Sequence, residues 1–266
     1  MAGQQKAANY KEAFVLTPGH GRMHYFEAGT GSPFILIHTN GGSAFQYTQC
    51  FEHLGKTHRC IAWEMPGHGD TDPLSRHYSI EDYCDALASF MDVMGISAAH
   101  VAGTSCGGTI TACFANRFAS RTLSAYIVET PLRNYDDWGA RWDHTEGNFG
   151  LPTQTKEEIG HRLNHVDDAV VARWNIDRNK AGAKVMMSVM WAMRNYDVQG
   201  AVASVQRPAM MVYGAKGPTI ALRDRLQKLN PGMPVGVLEH SGHFPMIDEP
   251  QRFSQMLAQF AQANGG

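Results

Sequence analysis

The run Gly103-Thr104-Ser105-Cys106-Gly107 has the pattern Gly-x-Ser-x-Gly. That spacing lets a serine stand at the apex of a tight strand-to-helix turn, its hydroxyl projecting above a sheet. The flanking glycines remove side chains that would collide in so tight a turn. A helix starting there aims N–H groups and partial positive charge at a developing oxyanion. Ser105 is therefore the expected nucleophile. By chance alone a motif this short turns up in about one chain in ten of this length and glycine content, so its flanks matter. Here the apolar run His100-Val101-Ala102 precedes it and a helical pattern from Gly107 follows. A frame shifted by one residue would put Cys106 at the apex, where a thiolate could attack. Thr104 would then fill a position that favours a small residue.

A serine nucleophile needs a base, and the base needs an acid to orient it. Ser241-Gly242-His243-Phe244 follows the last apolar run. A loop at the carboxyl end of the last strand can reach the turn from the side, so His243 is the expected base and His240 a structural neighbour. His161 and His165 have i, i+4 spacing, but Arg162 stands where the metal motif H-E-x-x-H has its Glu. A solvated helix face, and no metal, is expected there. The turn Gly214-Ala215-Lys216-Gly217-Pro218 carries no carboxylate, whereas Glu129 follows Val128 directly, 24 residues beyond Ser105. Glu129 is the expected acid; Asp136 and Asp137 lie farther along. The Gly-rich loop His38-Thr39-Asn40-Gly41-Gly42 can turn a backbone N–H toward the same point. The N–H groups of Asn40 and Cys106 are the expected oxyanion donors, with Gly41 the neighbouring candidate.

These residues need a frame to converge. Continuous apolar runs such as Pro33-Phe34-Ile35-Leu36-Ile37 and Ala209-Met210-Met211-Val212-Tyr213 read as strands buried on both faces. Further strands are expected at residues 13–16, 23–27, 60–63, 100–102, 124–128 and 235–238. Helices are expected at 45–55, from Ser79 to Gly95, at 107–118, at 220–229 and from about Gln251. Strands alternating with helices imply a mostly parallel α/β sheet covered on both faces. From about residue 133 to 196 the alternation stops, and the stretch is rich in Trp and Met. It reads as a helical cap, residues 133–196, inserted into a core of residues 1–132 and 197–266. Trp138, Trp174, Met187, Met190 and Trp191, with Gly41, are the candidate substrate contacts in an apolar pocket.

Composition narrows the class further. The chain of 266 residues is 43% hydrophobic and 18% charged with a net charge of −2. That is an ordinary globular composition without the basic surface a nucleic-acid binder needs. Five cysteines cannot all pair and form no zinc pattern, which favours free thiols in a reducing compartment. The first eleven residues are polar, with no signal-peptide core, and no apolar run nears the roughly 20 residues that span a bilayer. A cytoplasmic protein acting on a small molecule is expected, without organic cofactor, nucleic acid or membrane; a homodimer stays open.

Taken together, His38-Thr39-Asn40-Gly41, Met65-Pro66-Gly67-His68-Gly69-Asp70, the Ser105 motif with Gly108, and Gly242-His243-Phe244 with Glu249-Pro250 resemble the α/β-hydrolase superfamily. The resemblance implies an eight-stranded, mostly parallel sheet with the cap after strand six. Most members carry the acid after strand seven; Gly217 occupies that slot here, and Glu129 matches the branches with the acid after strand six. Among these the chain looks most like zearalenone lactone hydrolases, which share the Ser, strand-six Glu and His. The resemblance implies a serine esterase or lactonase acting on a small hydrophobic molecule through an acyl-enzyme. An amidase, a C–C bond hydrolase and a weakly hydrolytic small-molecule receptor share the fold and stay open as alternatives.

Overall fold

The computed structural model describes residues 10–151 and 153–264. Most of the polar N-terminal stretch, residues 1–9, lies outside the described residues. Eight strands form one sheet: β1 (Lys11–Thr17), β2 (Gly21–Ala28), β3 (Ser32–Ile37), β4 (His58–Trp63), β5 (Ala99–Thr104), β6 (Thr122–Val128), β7 (Ala209–Gly214) and β8 (Val235–Leu238). Their spatial order is β1-β2-β4-β3-β5-β6-β7-β8. The β1–β2 and β2–β4 pairs are antiparallel and the remainder parallel.

The apolar runs build two core layers at once, because successive strand residues face opposite ways. Ile35, Ile37, Ile61, Trp63 and Val101 join the cluster under the helices Ile80–Val93 and Cys106–Arg117. Phe34, Leu36, Cys60, Ala62 and Ala102 join the opposite cluster, against the helix Pro250–Asn264. Phe34 through Ile37 are all fully buried, which stabilises the fold by about 1.5–3 kcal/mol for each side chain. Edge strand β1 leaves Phe14 and Leu16 exposed.

Local signals fix the element ends. Ser79 and Asp82 form a reciprocal capping box at the start of Ile80–Val93, and Gly95 takes φ +65° just beyond its end. The final helix begins one residue earlier than expected because Pro250 suits its first position. The helix expected at 45–55 is instead a 3-10 segment, Ala44–Cys50, followed by the single α-turn Phe51–Leu54. Its side chains serve neighbouring loops: Gln46 Oε1 accepts the Thr39 N–H at 3.1 Å and Tyr47 Oη donates to Ile37 O at 2.9 Å. The stretch expected at 220–229 likewise splits into Ile220–Leu222 and Arg223–Leu229.

Between β6 and β7 the described residues form no strand until β7. The helices there are Tyr135–Gly139, Trp142–Phe149, Lys156–Gly160 and Asp168–Asn195, the last broken at Gly182 (φ +71°), followed by Val198–Ser204. This stretch shares the sheet's core, since Trp138, Val189, Met190 and Met193 join the β3–β5 cluster. All five cysteines are free and buried. Among the described residues, no helix is long and apolar enough to cross a membrane.

Candidate active site

Ser105 sits between β5 and the helix Cys106–Arg117 at φ +58°, ψ −114°, a conformation that costs a non-glycine residue of order 1–3 kcal/mol. Its neighbours hold it there. Ser105 N–H donates to Val128 O of β6 at 2.8 Å, and its carbonyl accepts the Gly108 and Thr109 N–H groups and the Thr130 hydroxyl. A Cβ on Gly103 would collide with Gly107 O, and one on Gly107 would come within 2.6 Å of Ile37 O. Both glycines are therefore required by space.

Glu129 follows β6 directly and also has a positive φ, +48°. Its N–H donates to Val212 O of β7 at 2.9 Å, which turns the fully buried side chain along the strand tops. The carboxylate accepts the Gly214 N–H at 2.6 Å, the Thr219 hydroxyl, and His243 Nδ1 at 2.9 Å. A carboxylate can only accept, so Nδ1 carries the proton and Nε2 is left as an acceptor. A Cβ on Gly217 would lie 2.7 Å from Glu129 Oε1. The carboxylate arrives from β6 into the space that a side chain at Gly217 would need. His243 is anchored from above as well, since its N–H donates to Arg162 O at 2.7 Å.

Ser105, His243, Asn40 and Cys106 line one cavity of about 490 Å³. Ser105 and His243 face this cavity with no hydrogen bond between their side chains among the described residues. The Asn40 side chain is fixed by donating Nδ2–H to Met186 O at 2.9 Å, with a longer 3.4 Å contact to His68 Nε2. The backbone N–H groups of Asn40 and Cys106 share a neighbourhood: both act on the Cys106 sulfur. Burial pushes that thiol up to about 12, only partly offset by the N–H groups of Gly107, Asn40 and Cys106 itself. It stays protonated near neutrality, which disfavours the shifted frame. Burial, with the His38 ring nearby, pushes His68 down to about 3, so it is neutral.

The expected substrate contacts divide. Trp138 and Met190 line the Ser105 cavity. Gly41 and Trp174 line a second cavity of about 340 Å³ instead. Gly41 packs against Met186, and Trp174 donates its indole N–H to Gln154 Oε1 at 2.8 Å. Met187 and Trp191 line neither cavity. On the helix Asp168–Asn195, residues Met186, Met190 and Met193 share the inward face, and a step of one residue turns Met187 and Trp191 away. Trp191 is exposed and packs on Trp142 with ring centroids 4.5 Å apart.

His240 is exposed, and its N–H donates to Glu249. His161 ends the short helix Lys156–Gly160 and His165 lies beyond it, so the two share no helix; His161 reaches the cavity rim. Asp137 caps its own helix through the Asn134 N–H and pairs with Arg225. Spacing gave no hint of Thr219 as a partner of Glu129. Nor did it reveal that Arg133, Arg141 and Arg162 line the cavity, whose wall is far more polar than the Trp- and Met-rich stretch suggested. Residues 133–196 hold nine basic and nine acidic side chains, so only the fold separates the arginines that face inward. A carboxylate–imidazole cluster of His24, Glu64 and Asp70 also comes together, but protein groups already engage it: His24 donates to Glu64 and Lys180 pairs with Asp70 at 2.6 Å.

Comparison with known proteins agrees with this architecture. Residues 32–250 match the α/β-hydrolase-fold family. A dihydrolipoyllysine-residue acetyltransferase component of an acetoin cleaving system from Cupriavidus necator is 25% identical over 89% of this chain; the chain spans 65% of that relative. The enol-lactonase of Burkholderia xenovorans LB400 superimposes with a TM-score of 0.80 at 20% identity, covering 94% of this chain and all of that one. The N-acyl homoserine lactonase AidH superimposes with a TM-score of 0.79 at 25% identity, covering 96% and 98% of the two chains. The chain belongs to the α/β-hydrolase-fold family.

Proposed function

We propose that the protein is a serine hydrolase of ester or lactone bonds in a small molecule. The observation that carries the reading is the buried Glu129 carboxylate on His243 Nδ1, in a cavity wall shared with the strained Ser105 turn. With Nδ1 committed to Glu129, Nε2 takes the Ser105 proton as Oγ attacks the carbonyl. The tetrahedral oxyanion is held by the N–H groups of Asn40 and Cys106, a contribution that commonly outweighs other single ones. His243 returns the proton to the leaving alkoxide. A water deprotonated by His243 then hydrolyses the Ser105 acyl-enzyme, which restores the starting state.

Residues 133–196 act in this reading as a cap that carries one wall of the cavity and restricts water at the acyl-enzyme. The lactonases among the structural neighbours favour cyclic or linear esters as substrates. So does the likeness of the Ser-Glu-His spacing to zearalenone lactone hydrolases. The test is covalent labelling with a fluorophosphonate, read by peptide mass spectrometry, beside turnover of an ester and lactone series. Modification at Ser105, and loss of both labelling and turnover in Ser105→Ala, is the expected result. Labelling at Cys106, or full turnover by Ser105→Ala, would overturn it.

A further inference from the structure

The arginines of this protein differ in their partners, and a few outside the Ser105 cavity also lack a carboxylate: Arg194 lies over aromatic rings and Arg207 donates to Thr122 O. Away from the Ser105 cavity, Arg59, Arg76, Arg117, Arg121 and Arg225 each stand 2.5–3.1 Å from a carboxylate oxygen. Around the cavity Arg133, Arg141 and Arg162 have no carboxylate within ion-pair distance among the described residues. Arg133 sits four residues beyond Glu129, between the fully buried Leu132 and Asn134, the cap of the next helix. Its guanidinium lies 5.0 Å over the Trp138 ring and makes no hydrogen bond to a described residue. The nearest acid, Asp137, is already held by the Asn134 N–H and Arg225.

Arg162 is turned into place by neutral groups. Its guanidinium donates to Gln154 Oε1 and lies 5.2 Å over the Trp174 ring. Burial lowers it to about 10, still cationic at neutral pH. Arg133 is lowered as well, first by burial and then by repulsion from Arg141. Glu158 is the one carboxylate among the described lining residues, and it accepts the Thr155 N–H at the start of its own helix. Three cations against one committed anion, in a concave low-dielectric wall, concentrate positive potential over the nucleophile. Packing alone does not call for this. At the five paired positions a carboxylate reaches the guanidinium, and around the cavity none of the described carboxylates does.

We propose that the substrate is anionic: an ester or lactone whose acyl portion bears a carboxylate, bound by Arg133, with Arg141 and Arg162 adding to the field. This rests on the hydrolase reading for the reaction, but not for the binding. A guanidinium offers a planar fork of donors that a carboxylate accepts two at a time. Trp138 beneath Arg133 fixes the plane of that fork. The anion would therefore orient the acyl chain, so that its carbonyl rather than its tail reaches Ser105.

The experiment measures binding and turnover separately. Binding of the monomethyl and dimethyl esters of succinate, glutarate and adipate to Ser105→Ala protein is followed by calorimetry. Turnover of 4-nitrophenyl hydrogen adipate and methyl 4-nitrophenyl adipate is followed with the unmodified serine. In at least one chain length the monoanion should bind about tenfold or more tightly than the diester, the scale of one charge-assisted contact. The anionic nitrophenyl ester should show a correspondingly higher kcat/KM, mostly through KM, and the preference should shrink with added salt. Arg133→Gln should abolish the preference, with a loss in kcat/KM on the anionic ester about tenfold larger than on the neutral one, and Arg141→Gln at the exposed rim should reduce it less. Equal binding of mono- and diesters, no monoanion bound at any length, or equal losses on both nitrophenyl esters in Arg133→Gln would overturn the proposal. Retained neutral-ester turnover in those cases leaves the hydrolase reading standing. Selective binding of the monoanion without any turnover or fluorophosphonate labelling sinks the hydrolase reading and keeps this one.

Discussion

Two buried glutamate–histidine pairs stand at the carboxyl ends of parallel strands, and they are built alike. Glu64 follows the last residue of β4, as Glu129 follows the last residue of β6. Each carboxylate takes a histidine Nδ1, at 2.8 Å from His24 and 2.9 Å from His243. Each takes two further donors: the Asp70 and Ala44 N–H groups for Glu64, the Gly214 N–H and the Thr219 hydroxyl for Glu129. In each a glycine stands against the carboxylate, Gly69 for Glu64 and Gly217 for Glu129. The far nitrogen differs. His24 Nε2 meets a second carboxylate, Glu12, at 3.0 Å, and its ring is packed between Phe14 and Phe26. His243 Nε2 has no protein partner among the described residues, and His243 lines the Ser105 cavity. A carboxylate–imidazole pair is thus a structural fastener when both nitrogens are engaged. On the proposed reading it is available as a base when, as at His243, one nitrogen is left free beside a cavity lined by Ser105.

The largest effect that can break this distinction is on turnover. Glu129→Gln removes the anion that fixes the imidazole tautomer and stabilises its charged form, so kcat should fall by about 10⁴. Glu64→Gln should leave kcat near the unmodified value. Steady-state kinetics on any ester that the protein turns over decides between them, and an equal loss in Glu64→Gln would erase the distinction. On stability the ranking reverses. Glu64→Gln leaves His24 buried beside the surface acid Glu12 alone and should cost about 3–5 kcal/mol, the scale for breaking a buried charge pair. Urea unfolding of the two variants should place the Glu64→Gln midpoint clearly below that of Glu129→Gln.

The two glycines sharpen the contrast at a smaller scale. A methyl at Gly217 would come within 2.7–2.8 Å of both Glu129 oxygens. Gly217→Ala should therefore shift the carboxylate and lower kcat by about 10², the penalty for misplacing a catalytic contact by about 1 Å. Gly69 lies against Glu64 at φ +54°, so Gly69→Ala should lower the melting temperature with kcat retained. A Gly217→Ala protein with unmodified kcat would show that the acid tolerates displacement, and with it that Glu129 does not orient His243.

The sequence made one of these pairs legible and not the other. Ser105, Glu129 and His243 each sit in a short motif at a strand end, where backbone geometry dictates the neighbours, so their convergence follows from the order of strands. His24 and Glu64 are on antiparallel β2 and at the end of β4, and only the registry of Tyr25 with Trp63 brings them together. The buried strands were readable because continuous apolar runs leave little choice of environment. The stretch 133–196 was readable as helical and as inserted, yet not as to which side chains look inward. On one helix Met190 faces the Ser105 cavity while Met187 and Trp191 do not, a difference of about one helical step, with Met186 packed on Gly41. The cavity arginines were invisible for the same reason: acids balance them along the sequence, and only the fold shows that none of those acids stands within ion-pair distance among the described residues.

The smallest predicted effect concerns buried imidazoles that lack a carboxylate altogether. His24 is raised: burial opposes its charge, but Glu64 and Glu12 together outweigh it. Glu64 is lowered, since contact with His24 and the Asp70 N–H outweighs burial. Stability from that pair is present below the unfolded histidine value and above the unfolded carboxylate value. It is lost as pH rises through the His24 value or falls through that of Glu64. His100 has the opposite sign. It contacts Ser124 Oγ at 2.7 Å and stacks on Phe34, and burial, with His58 nearby, pushes it down to about 4. Its unfolded value is about 6.5. Between these values the unfolded chain binds the proton and the folded chain does not, so the His100 contribution falls steadily as pH drops from about 6.5 toward about 4. His100→Gln keeps a hydrogen-bonding group beside Ser124 but cannot titrate. It should be less stable than the unmodified protein at pH 7.5, through lost stacking, and the difference in melting temperature should narrow as pH is lowered to 5. The site is at the start of β5, the end opposite Ser105, so kcat should not change. A difference that stays constant or widens on acidification would mean that His100 is protonated in the fold.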